Sequence, residues 1–203
     1  MVEKTPGSTG YTAEVDDLFI RYEAIEFDRL HKHFLEFIPS APARILDIGS
    51  GTGRDAAVFA SRGHRVVTAE PTTALRQGAM TLHTDANIEW LDDSLPLLEV
   101  VRDRNEQFDL IMLTAMWMHL DRGERHQAMP VLSNLTAADG HLCFTIRHGP
   151  TPAGRLMYDV DVDETVGLGE AAGLTLSFRE DRQPSLRQQP GVTWSRLAFH
   201  HPG

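Results

Sequence analysis

The feature that most limits the fold is Ile45-Leu46-Asp47-Ile48-Gly49-Ser50-Gly51-Thr52-Gly53. An apolar run delivers the chain into a loop with glycine at every second position, and a helix expected over 55–62, stopped by Gly63, follows. Alternating glycines weaken a turn unless something must approach its backbone, because each gives up side-chain contacts and conformational entropy. Strand, glycine loop and helix in that order place amide groups at the carboxyl end of a parallel sheet, where α/β proteins hold nucleoside-type ligands.

The rest of the chain supplies such a sheet. Strands are expected at 44–48, 65–69, 88–91, 108–114 and 142–146, alternating with helices at 55–62, 72–82 and 122–135. This is the pattern of βαβ units and a mostly parallel sheet. A short helix near 164–172 ends at Gly173. Two last strands, over 174–179 and 194–199, have no helix between them and should pair antiparallel. Upstream, Leu18, Phe19, Tyr22 and Ile25 recur at helical spacing from Val15, and Leu30 and Phe34 continue the pattern until Pro39-Ser40-Ala41-Pro42. Residues 1–42 are therefore read as an N-terminal helical cap with a flexible start over 1–10, and residues 43–203 as the ligand-binding unit. At 203 residues the chain has room for one α/β domain and is short for two.

Spacing narrows the ligand. A dinucleotide loop wants a third glycine at position 54, which is Arg54. Here Asp47 precedes the first glycine by two residues, ill placed beside a pyrophosphate and well placed beside a cationic aminoacyl group. Glu70, at the end of the second strand, can accept from two ribose hydroxyls. Asp93, after the third, can accept from an adenine amine. Glu70 and Asp93 each follow the preceding acid by 23 residues, one βα unit.

On these residues the chain resembles the class I S-adenosylmethionine-dependent methyltransferases, over about 44–199. Leu46 to Gly53 resembles the first motif, Glu70 the second-strand acid, Asp93-Ser94 the adenine-side motif, Phe108-Asp109-Leu110-Ile111-Met112 the fourth-strand motif, and Asp139-Gly140-His141-Leu142 the turn into strand five. More loosely, the resemblance is to small-molecule or tellurite-resistance-like methyltransferases. It implies a Rossmann-like seven-stranded, mostly parallel sheet with the last strand antiparallel and helices on both faces. It also implies S-adenosyl-L-methionine as cofactor, faced by Asp47, Gly49, Ser50, Gly51 and Gly53, by Glu70 with Pro71, by Asp92, Asp93 and Ser94, and by Thr114 and Tyr22.

The acceptor is less defined. After strand four stands Thr114-Ala115-Met116-Trp117-Met118-His119, not the Asn/Asp-Pro-Pro-aromatic segment of base-modifying enzymes. His119 is the candidate general base. Trp117, Arg147 and His148 are candidates for the acceptor pocket, with Arg147 and His148 suited to an anion. The formal charge of −10 repels polyanions and disfavours nucleic acid as partner. Cys143 is the single cysteine and is expected in the core. His31-Lys32-His33 does not put two imidazoles on one helix face, so no metal is expected. The first residues show no signal-peptide pattern, and the longest apolar stretch, 110–118, is about half of the ~20 residues a bilayer needs. A cytoplasmic enzyme acting on a small-molecule acceptor is the expectation. A protein or RNA methyltransferase and a noncatalytic cofactor-binding protein stay open beside it.

Overall fold

The computed structural model describes Ser8 and residues 10–203, so the flexible start expected over 1–10 lies almost wholly outside the described residues. Seven strands form one sheet: β1 Arg44–Ile48, β2 Arg65–Ala69, β3 Ile88–Leu91, β4 Phe108–Thr114, β5 Thr136–His148, β6 Thr175–Pro184 and β7 Thr193–His200. Their order is β3-β2-β1-β4-β5-β7-β6. The pairs from β3 through β5 are parallel, and β7 runs antiparallel to both neighbours. The sheet is the one expected.

In β1 and β2 only the leading Arg44 and Arg65 are exposed, the signature of parallel strands covered on both faces. Side-chain alternation splits the core accordingly. Leu46, Ile48, Val67 and Leu113 pack with Leu132 and Phe144 on one face. Ile45, Val66, Leu110 and Met112 pack with Phe59, Phe34 and the buried Cys143 on the other. The covering helices include α3 Arg54–Ser61, α4 Thr73–Leu82, α6 Arg122–Leu135 and α7 Val162–Ala171. The first turn of α6 is fixed by reciprocal hydrogen bonds, the Glu124 amide to Asp121 Oδ1 and the Asp121 amide to Glu124 Oε2, both 2.8 Å.

Four stretches depart from the sequence pattern, one of them β6, which runs to Pro184 where a strand over 174–179 was expected. The helical region from Val15 is broken into α1 Val15–Glu23, α2 Phe27–Leu30 and a single 3₁₀ turn at Leu35–Phe37. Glu26 is extended, which lets Phe27 and Phe34 turn into the core against Phe59 and Phe178. β5 begins earlier than expected, with an irregularity in its register against β4 and Asp139 at φ 60°. A short helix, α5 Glu99–Arg102, had no pattern to announce it. No helix among the described residues is long and apolar enough to cross a membrane.

Candidate active site

The carboxyl ends of β1 through β5 open into a cavity of about 650 Å³. β1 delivers the glycine loop to its floor, and the left-handed backbone at Gly49 (φ 69°) and Gly51 (φ 57°) makes the turn. The Gly49 amide donates to the Ala69 carbonyl at 2.7 Å, and the Gly51 amide to Glu70 Oε2 at 2.9 Å, so the loop is pinned to the end of β2. A methyl group built on Gly51 would meet nothing closer than 3.9 Å. Space beside that backbone is kept open.

Asp47 is buried under this loop, and its Oδ2 has no hydrogen-bond partner. Burial, with the Asp55 carboxylate adding to it, pushes the Asp47 carboxyl well above the ordinary carboxylate range. Burial acts on Asp55 too, but there the His31 Nε2 at 2.8 Å and the Arg54 guanidinium at 2.7 Å prevail and hold it low. Asp55 has its hydrogen-bond partners, and Asp47 Oδ2 has none. Ser50 Oγ is likewise buried and unpartnered.

Glu70 lines the same floor. Its Oε1 accepts from the Thr72 amide at 2.8 Å, and burial raises its pKa against the pull of its hydrogen bonds to Thr72 and Gly51. Each oxygen keeps a lone pair for a further donor. Pro71, Ser94, Thr114 and Tyr22 also line the cavity, and Thr114 Oγ1 donates to Asp55 Oδ2 at 3.2 Å. Asp93 lines it while bracing the loop that follows: Oδ1 accepts from the Ser94 amide and Oδ2 from the Val101 amide, both 2.8 Å.

At the far end stand groups from β4, β5 and the N-terminal segment. His119 is 2% exposed and lines the cavity. Its Nδ1 is 2.7 Å from the Leu156 carbonyl oxygen and its Nε2 3.0 Å from the Tyr11 hydroxyl. Arg155 stacks over the Tyr11 ring at 3.6 Å and reaches Glu14 at 2.8 Å. Arg147 leaves β5 into the same space. Tyr11, Arg155, Arg54 and Asp55 were not singled out in the sequence. No periodicity links Tyr11 to Arg155, and nothing around Asp55 distinguishes it from an ordinary first-turn acid.

Four expected residues stand outside the cavity wall. Trp117 is fully buried in the core, edge-on to Phe144, its Nε1 donating to Thr165 Oγ1 at 3.0 Å. The left-handed Ala115 (φ 60°) turns the chain after β4, and the indole goes inward. His148 is buried at the β5–β7 pairing, with Nε2 2.8 Å from Ser195 Oγ. Gly53 caps α3, where an added Cβ would lie 2.5 Å from the Trp90 ring, so it serves packing. Asp92 turns away to Arg76 at 3.2 Å.

Residues 45–140 match the family model described as a methyltransferase domain. The fold matches the crystal structure of a TehB-like SAM-dependent methyltransferase from Corynebacterium glutamicum with a TM-score of 0.68, 21% identity, and coverage of 93% of this chain and 98% of that one. Residues 45–140 are thus similar to a methyltransferase domain, set in the fold of S-adenosylmethionine-dependent methyltransferases. The chain is also similar in fold to 1,6-didemethyltoxoflavin-N1-methyltransferase from Burkholderia thailandensis, solved with bound 1,6-didemethyltoxoflavin and S-adenosylhomocysteine (TM-score 0.67, 18% identity, 95% and 86% covered). The N-methyltransferase NodS from Bradyrhizobium japonicum is a third (TM-score 0.66, 17% identity, 86% and 96% covered). No curated protein sequence matches the chain. The residues present fit the cofactor: the open face of Gly51 admits a close neighbour, and the orphaned Oδ2 of Asp47 calls for a donor.

Proposed function

We propose that the methyltransferase acts on a small molecule that gives up a proton as it is methylated, and that His119 receives that proton. The observation that carries this is the shared cavity: Asp47, whose Oδ2 has no partner, and His119 line the same cleft. Asp47, Gly49, Ser50, Gly51 and Glu70 would hold S-adenosylmethionine, with Asp93, Ser94, Thr114, Pro71 and Tyr22 around it. Bound there, the cofactor supplies a methyl group already activated on a sulfonium.

The chain's own part is alignment and proton handling. Alignment of two bound reactants is worth about 7–11 kcal/mol. A carbonyl can only accept, so His119 Nδ1 carries the proton toward Leu156, and in the neutral ring Nε2 accepts from Tyr11. As the acceptor's proton passes to the Tyr11 oxygen, Tyr11 can hand its own to Nε2, and the charge ends on the imidazole. Two arginines tie the roof together. Arg187 reaches the Arg21 carbonyl at 2.6 Å and Arg155 reaches Glu14, strapping loops to α1 and to the segment before it. A cavity of this size suits a cofactor with a compact partner and supports a small acceptor over a protein or RNA segment.

The test is S-adenosylhomocysteine formation from S-adenosylmethionine and a low-molecular-mass metabolite extract, followed by mass spectrometry. Turnover in that fraction, slowed in His119→Gln, is expected. Cofactor binding without turnover in any fraction would make the protein a binding module, and turnover only with macromolecules would move the acceptor class.

A further inference from the structure

The cavity is charged unevenly, and the unevenness describes its second ligand. Acids sit at the ends of three adjacent strands: Asp47 on β1, Glu70 after β2 and Asp93 after β3. Two strands beyond β1, past β4, Arg147 leaves β5. At about 4.8 Å per strand the backbones of β1 and β5 stand roughly 10 Å apart. Among the described residues Arg147 touches no carboxylate. Its nearest partners are the Gly149 carbonyl at 3.5 Å and Met157 Sδ at 4.0 Å.

Arg155 joins it at this end. Its side chain is 5% exposed, and its Nη1 is buried with no hydrogen-bond partner. One carboxylate, Glu14, serves both Arg155 at 2.8 Å and Arg21 at 3.4 Å. Glu124 also lines the cavity, but its carboxylate is taken by the Asp121 amide. Asp17, outside the cavity wall, lies 3.7 Å from Arg21. Arg21, Arg147, Arg155 and Arg187 thus share this end with two carboxylates, Glu14 and Asp17, in a chain whose net charge is −10. A buried guanidinium nitrogen without an acceptor is costly, and guanidinium favours planar oxyanions.

We infer that Arg147 and Arg155 bind an oxyanion, and that it belongs to the methyl acceptor, which is therefore a small carboxylate or comparable anion. The assignment rests on the proposed placement of the acceptor at this end. The same chemistry is present in the α-carboxylate of the cofactor, so the two sources must be separated. An acceptor held by its anionic end against these arginines would present the rest of its body to Tyr11 and His119. The acids of β1 to β3 would repel it from the cofactor's floor, so the two ligands are sorted by charge before they meet.

The experiment titrates benzoate and its neutral isostere benzamide into the protein saturated with S-adenosylhomocysteine, by calorimetry. It is repeated with Arg147→Gln and Arg155→Gln. Benzoate is expected to bind at least about tenfold more tightly than benzamide, the low end of what a charge-assisted contact supplies. Both variants should abolish that preference and keep S-adenosylhomocysteine affinity within about twofold. Equal binding of the two probes, or binding of neither, overturns the inference. Loss of S-adenosylhomocysteine affinity in both folded variants also overturns it, by giving the arginines to the cofactor. Failure of the unaltered protein to bind S-adenosylhomocysteine would instead strike the proposed function.

Discussion

The Tyr11 hydroxyl stands 3.0 Å from Nε2 of His119, across a chain separation that no sequence pattern bridges. Burial is the main force lowering the His119 pKa, the Arg155 charge adds to it, and the hydrogen bond to Leu156 opposes both. A lowered imidazole pKa keeps the ring neutral, and so competent as a base, to a lower pH than free histidine. The kcat/KM for methyl transfer should stay level through neutrality and fall only below about 6.5. A fall centred above that value would take His119 out of the reaction. Tyr11→Phe keeps a ring for Arg155 to stack on and removes the hydroxyl. It should lower kcat by about 10²-fold or more while leaving cofactor KM nearly unchanged.

Asp47 gives a second prediction. Its carboxyl is raised by burial and by Asp55, so in the free protein it holds its proton to a higher pH than an ordinary aspartate. A raised folded-state pKa contributes stability that is present below the unfolded value and fades as pH rises through the raised one. A cationic ligand beside Asp47 favours the ionised form. Cofactor binding should therefore release a proton at pH values above the ordinary carboxylate range, and the gain in Tm on binding should widen as pH rises there. Calorimetry in buffers of differing ionisation heat measures the release. No proton release would place the cation elsewhere.

Glu70 is the hinge between the loop and β2. In Glu70→Gln one side-chain oxygen becomes an NH₂ that must face either the Gly51 or the Thr72 amide, donor against donor. Loss of a charge-assisted contact predicts weaker cofactor binding by about 1.5–3 kcal/mol. An effect under about 0.5 kcal/mol in equilibrium dialysis would show that Glu70 only shapes the loop.

How much of this was legible follows from what each residue answers to. β1 and β2 begin at an arginine and end where their apolar runs meet Gly49 and Glu70, because central parallel strands are apolar on both faces. The acid series was legible because one βα unit repeats at one spacing. The split of the helical region after Glu23 was not, since Phe27 and Phe34 are drawn inward by Phe59 and Phe178, residues far along the chain. α5 exists because Asp93 accepts from Val101, a contact local propensity does not encode. Trp117 and His148 follow strand ends as pocket residues do, yet one backbone turn at Ala115 and one partner at Ser195 place both inside. Arg155 carries no pattern at all.

Gly49 and Gly51 look equivalent in the sequence, and the structure separates them. Both hold positive φ, so alanine at either is strained by about 1 kcal/mol. At Gly51 an added methyl meets only open cavity, with Tyr22 Cδ2 4.0 Å away. Gly51→Ala should fold with a modest loss of Tm, and Gly51→Val, which extends two more carbons into that space, should abolish cofactor binding. At Gly49 the methyl would sit 2.1 Å from Cγ and 2.3 Å from Sδ of Met116, whose flexible side chain must move. Met116 also lines the cavity near His119, so Gly49→Ala should disturb turnover through a displaced Met116. Met116→Ala clears that position, and the double variant Gly49→Ala/Met116→Ala should be less impaired than the two single losses sum to. Additive losses in kcat/KM would mean that the two residues do not act through their contact.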